Sequence, residues 1–181
     1  MRLKSLARLM ALVFVFVGLV GCGDIISFNN PAERRKEARR ENISDFLSED
    51  VTGETGETYQ TKWFDFTIDS IDEIDSYAGH TAEEGNRLLK VQVAETSTWD
   101  ETITLGTFDF YMDDPSFEEF IWPITPKDST MMPEKFDLEP GATVQHVMIF
   151  DVPTNTTELA LMYTEYYDNK DIGNTIMIYI D

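Results

Sequence analysis

A carboxylate-rich chain with two histidines and a single cysteine offers few routes to catalysis. Its 181 residues hold 34 Asp and Glu against 14 Lys and Arg, for a formal net charge of −20. His80 lies in the polar stretch YAGHTAEEGN, where solvation is expected, and His146 in the alternating run TVQHVMIFDV. Neither has a second histidine at ligand spacing, so no zinc site and no cofactor are predicted. No Gly-x-Ser-x-Gly elbow occurs, and no glycine loop that would cradle a phosphate. The acids Asp69, Asp72, Glu73 and Asp75, and the pair Asp113 and Asp114, read as a solvated surface or as weak calcium ligands. DNKDIGN opens like a calcium loop, but Lys170 and Ile172 stand where oxygen ligands are required, so a hairpin turn is expected there. A hydrolase of envelope polymers would need distant carboxylates to converge in a cleft. So negative a chain repels nucleic acid. The expectation is a non-enzymatic protein with no metal and no nucleic-acid partner.

Binding chemistry concentrates instead between Asp113 and Phe136, DDPSFEEFIWPITPKDSTMMPEKF. Phe117, Phe120 and Trp122 are the candidate binding residues, accompanied by Ile121, Met131 and Met132 and interrupted by Pro115, Pro123, Pro126 and Pro133. Four prolines in this stretch exclude a central strand. Long loops in small domains are often functional, and aromatic residues and Met are what interface cores concentrate. Two readings stay open: a binding surface, or a cap whose aromatics fold back over the end of the domain.

The elements that would carry such a loop begin with the leader. MRLKSLAR is basic without an acid, and Leu9 to Val20 is apolar throughout. Twelve helical residues rise only about 18 Å, short of the roughly 30 Å hydrocarbon core, so the pattern is that of a signal peptide over residues 1–21. It ends in Leu19-Val20-Gly21-Cys22, and Cys22 is the one cysteine. LVGC resembles the bacterial lipobox. That resemblance implies that the Cys22 thiol receives diacylglycerol and becomes the new N-terminus, anchoring the protein to the extracytoplasmic face of the cell membrane. Two acyl chains make a stable anchor where one is marginal. Cleavage would remove Arg2, Lys4 and Arg8 and no acid, taking the formal charge from −20 to −23.

Residues 22–58 are expected to form a tether. NPAERRKEARRENI has a helix start, with Asn30 as N-cap, Pro31 at N1 and Glu33 at N3, but no apolar stripe. It reads as a solvated spacer or as a basic collar against anionic headgroups. SEDVTGETGET, from Ser48 to Thr58, is polar and aperiodic, as a flexible linker is.

From Tyr59 to Asp181 the pattern is β. Phe64, Phe66 and Ile68 alternate with polar residues, as do Leu89, Val91 and Val93. TITLGTFDFYM, ELALMYTEYY and NTIMIYI look alike, and Asp113-Asp114-Pro115 and Glu139-Pro140-Gly141 mark turns between runs. Several short strands in one domain predict an all-β, antiparallel sandwich. Leu138 to Pro153, LEPGATVQHVMIFDVP, resembles the telokin-like, immunoglobulin-like domain of Gram-positive surface lipoproteins, in which a Pro-Gly-x-Thr/Ser turn leads into a strand ending Phe-x-Val-Pro. Leu88 to Ser97 and Thr107 to Met112 are similar to earlier strands of that family, with Glu95 where Asn is usual. The resemblance implies an immunoglobulin-like β-sandwich of unknown function over residues 59–181. Function is therefore expected to be a non-enzymatic binding or adaptor module at the cell envelope. Its partners would be the membrane, through the lipid on Cys22, and an envelope protein or peptide. The alternative is a structural or stress-related envelope component whose acidic surface collects cations or cationic peptides.

Overall fold

A computed structural model describes residues 50–166 and 172–180. The leader, Cys22, the helix start at Asn30 and the turn around Lys170 lie outside the described residues. Twelve strands follow one another: β1 (Asp50–Gly53), β2 (Thr58–Gln60), β3 (Phe64–Ile74), β4 (Ser76–Tyr77), β5 (His80–Thr81), β6 (Asn86–Ser97), β7 (Ile103–Leu105), β8 (Phe110–Asp113), β9 (Phe136–Leu138), β10 (Thr143–Pro153), β11 (Ala160–Tyr166) and β12 (Ile172–Tyr179). They build two four-stranded sheets, β1-β12-β11-β8 and β10-β6-β3-β2, with the short pairs β4-β5 and β7-β9 beside them.

Alternation sets which side chains meet between the sheets. Phe64, Phe66 and Ile68 of β3 and Leu89, Val91 and Val93 of β6 are buried, while their sequence neighbours Asp65, Thr67, Lys90 and Gln92 are not. β11 and β8 supply Tyr163 and Phe110 from the opposite sheet. Phe66 stands 5.3 Å from Phe110 and 5.1 Å from Tyr163, ring centre to ring centre, and Phe64 meets Tyr163 edge-on at 5.5 Å. Such aromatic pairs contribute about 0.5–1.5 kcal/mol each beyond their buried area. This is the expected immunoglobulin-like sandwich.

Three local readings change. The stretch from Asp50 to Thr58 is not a flexible linker: β1 pairs in parallel with β12, Asp50 opposite Thr175 through Gly53 opposite Ile178, and β2 pairs with β3. The first sheet is thus antiparallel except at that edge. TITLGTFDFYM is not one strand either. β7 ends at Leu105, a 3-10 turn occupies Thr107–Asp109, and β8 begins at Phe110. A Cβ on Gly106 would run into the carbonyl oxygen of Glu134, so only glycine lets the two segments pass there. His80, expected in solvent, is half-buried in β5 with Nε2 unpartnered. The turn before β10 forms as read: Ala142 donates to the Glu139 carbonyl at 2.9 Å, and Gly141 has φ +73° after Pro140.

Candidate functional site

The segment between β8 and β9 runs against one edge strand of each sheet, first β8 and then β10. At its start, the buried Asp114 carboxylate accepts the Ser116 N–H and hydroxyl on one oxygen, and the N–H groups of Thr157 (2.8 Å) and Glu158 (2.9 Å) on the other. The Ser116 hydroxyl foremost, with these N–H groups, holds the Asp114 pKa down to about 2. Ile121 then adds to β8, exchanging two 2.8 Å hydrogen bonds with Met112. Further on the chain crosses to β10. The N–H of Ile124 donates to the Ile149 carbonyl, that of Met132 to the Val147 carbonyl, and that of Val147 to the Thr130 carbonyl. Asp128 ties down this second stretch through Thr130 and Met131 N–H groups, and its pKa is lowered chiefly by the Thr130 hydroxyl. Both exposed ladders are covered.

Both open readings of this segment find their residues. Met131 and Met132 are buried, so the later half caps the domain. Phe120 and Trp122 are not: they remain 50% and 43% exposed, beside Phe108 at 60%. Because Ile121 pairs with β8 and turns toward the core, its two neighbours must point out. They gather over Tyr111, with Phe120 at 4.5 Å and Trp122 at 5.4 Å from its ring centre, and Phe108 packs on Trp122 at 5.8 Å. The Tyr111 hydroxyl bonds with Thr164 of β11 at 2.9 Å, fixing the central ring. The patch is thus centred on a strand residue, Tyr111 of β8, with Phe108 coming from the 3-10 turn and Phe120 and Trp122 flanking the bridge at Ile121. Phe117 is half-buried and makes no ring contact with these four. Exposed Glu118 and Glu119 immediately precede Phe120 in the chain, and Asp113 lies two residues after Tyr111 on β8.

Tyr111 and Phe108 were not among the candidates. Tyr111 is readable afterwards, lying between the inward Phe110 and Met112. Phe108 is not, since a continuous strand would point it inward with Phe110 and the 3-10 turn reverses it.

The titratable residues gather elsewhere. Among the described residues no three His, Cys, Asp or Glu side chains are placed to hold a metal ion. Asp69, Asp72, Glu73 and Asp75 are exposed, and Glu73 pairs with Arg87 at 3.2 Å. His146 faces inward, its Nδ1 3.3 Å from Glu95 Oε2, under the ring of Phe136. Burial raises the Glu95 pKa, with His146 opposing the rise.

A family model described as a domain of unknown function, DUF4352, matches residues 53–172. The chain belongs to this family. The match begins within β1, upstream of Tyr59. No curated protein matches the sequence. Among solved structures, YcdA of Bacillus subtilis, described as a candidate lipoprotein, is similar with 20% identity and a TM-score of 0.55, over 71% of this chain and 39% of that one. YjhA of the same organism aligns at 15% identity and TM-score 0.52, covering 71% of this chain and 98% of that one. The secreted protein MPT63 of Mycobacterium tuberculosis aligns at 7% identity and TM-score 0.53, again over 71% and 98%. At these identities the likeness is one of fold, and the chain corresponds to well under half of YcdA.

Proposed function

We propose that this DUF4352 protein is a lipid-anchored extracytoplasmic lipoprotein. Its sandwich works as a non-enzymatic binding or adaptor module at the cell envelope. The patch of Phe108, Tyr111, Phe120 and Trp122 docks a protein or peptide partner. One observation carries the docking role: two large aromatic side chains of the loop stand outside the core on a backbone pinned at Asp114 and Ile121. Aromatic anchors held in place before binding lose little freedom on contact, which is how interface hot spots work. The acids Asp113, Glu118 and Glu119, close to these rings in the chain, favour a partner segment that is basic as well as apolar. The anchor is supported by the LVGC sequence at Cys22 and by a fold neighbour described as a candidate lipoprotein.

Affinity capture with the full chain from envelope extract, in parallel with Trp122→Ala, tests the docking role. A partner retained by the wild type and lost with the variant supports the patch; equal capture refutes it. High salt separates this role from that of a purely acidic collector, because electrostatic ligands elute while an apolar contact persists. For the anchor, Cys22→Ala is expected to abolish acylation and membrane retention, and normal lipid labelling of the variant would refute it.

A further inference from the structure

Beside the bulge in β11, a concavity of about 330 Å³ opens between the sheets. That volume is at the small end of ligand sites. Four aromatic side chains, Trp63, Phe64, Tyr163 and Tyr166, line it together with Asp109 and Thr164, and no cationic residue does. Phe64 and Tyr163 stand at 87° to one another, so two walls meet as a corner. The Gly106 N–H donates to Asp109 at 2.7 Å and fixes the carboxylate. Burial raises the Asp109 pKa, with the Gly106 N–H opposing the rise, and no cationic residue lines the cavity to offset the carboxylate. Glu95 lies behind it, fully buried, with Oε1 unpartnered. The Tyr163 phenol, whose pKa is raised first by burial, also feels Glu165, Asp109 and Glu95, so three carboxylates bear on this one wall. The Trp63 ring already attracts a cation: the Lys62 ammonium lies 5.0 Å from its centre, outside the cavity lining.

We propose that this cavity is a binding site for an N-alkylated ammonium group of choline type, held against the aromatic walls and charge-paired with Asp109. The electron-rich faces of Trp and Tyr attract a cation at van der Waals contact, without needing a hydrogen bond from it. A primary ammonium has three donors to satisfy, and this wall offers one carboxylate and threonine hydroxyls. Anions are repelled by the neighbouring acids, and an uncharged hydrocarbon leaves Asp109 uncompensated. The cavity shares no lining residue with the aromatic patch, though Thr164 also bonds the Tyr111 hydroxyl.

The test is calorimetric titration of the full chain, in an uncharged maltoside detergent, with choline, phosphocholine and the uncharged isostere 3,3-dimethylbutanol. Choline is expected to bind at least about tenfold more tightly than the isostere, as a desolvated cation–π contact allows. Free choline should also exceed phosphocholine, whose phosphate meets the acids; the reverse order would assign the site to a phosphocholine headgroup and overturn its assignment to the bare cation. Asp109→Asn keeps an oxygen for Gly106 and should weaken choline at least about tenfold. Should that variant fail to fold, Trp63→Leu is expected to produce a comparable loss with the wall still apolar. In a background with both Trp99→Phe and Trp122→Phe, choline should still change the tryptophan fluorescence, through Trp63. Absence of choline binding, equal affinity for the isostere, or unchanged affinity in the folded variants would overturn the proposal.

Discussion

The two halves of the segment joining β8 to β9 both carry large apolar side chains and give them opposite fates. In the first, Phe120 and Trp122 stay outside; in the second, Met131 and Met132 are sealed in. The first half meets the edge of β8 at a single bridge, Ile121 opposite Met112, so it has an inner and an outer face there, and Ile121 takes the inner one. Among the described residues the outer face is left about half exposed. The second half passes along β10, where Met132 enters the main core and Met131 joins Leu88 and Ile149 in a smaller cluster. Both of its neighbouring side chains find cover. Burial is decided by what lies on each side of the backbone, not by the hydrophobicity of the segment.

Substitutions in the two halves should therefore separate stability from binding. Met132→Ala opens a cavity in the main core, and is expected to cost about 2–5 kcal/mol in denaturant unfolding while leaving partner capture by the folded fraction unchanged. A loss below about 1 kcal/mol would mean that the methionine half is not a cap.

Asp114, at the start of the segment, gives it a pH signature. Its folded pKa of about 2 lies below the ordinary 3.8, so its contribution to stability is present above pH 3.8 and is lost as the pH falls toward 2. Asp114→Asn should lower the melting midpoint at pH 7 and weaken capture, with the two melting curves converging in acid. Parallel curves would assign the acid sensitivity to another group. Glu95 has the opposite sign. Its raised pKa means that its contribution is fully present below the ordinary 4.5 and declines as the pH rises through the folded value. Glu95→Gln should consequently melt higher than the wild type at neutral pH, with the advantage vanishing below pH 4.5. A variant less stable at neutral pH would show that the contact with His146 outweighs the cost of burial.

What could be read without coordinates follows the same division. The runs Phe64-Phe66-Ile68 and Leu89-Val91-Val93 declare their inner faces because one face alone is apolar, and Pro140-Gly141 declares its turn because φ +73° after a proline suits glycine. β1 was illegible: DVTG is recruited by backbone pairing to β12, and only Val51 packs against the core. The aromatic candidates were legible as residue types, since Phe120 and Trp122 are where interface chemistry would be sought. Their membership in a four-ring patch was not, because it depends on the reversal of Phe108 at the 3-10 turn and on Ile121 choosing β8. Phe117 looked equivalent to them and is not, because the Asp114 turn, where its N–H donates to the Asp114 carbonyl, sets it ahead of the bridge at Ile121.

Trp122→Ala bears most directly on the claim that the aromatic half is a docking surface. Unfolding and partner capture are measured on the same preparation of the full chain. The expected result is stability within about 1 kcal/mol of the wild type, as for a half-exposed surface side chain, and capture weakened by about 2 kcal/mol, as for an aromatic hot spot. A loss of about 3–5 kcal/mol in stability with undiminished affinity per folded molecule would contradict it, and would make Trp122 part of the cap.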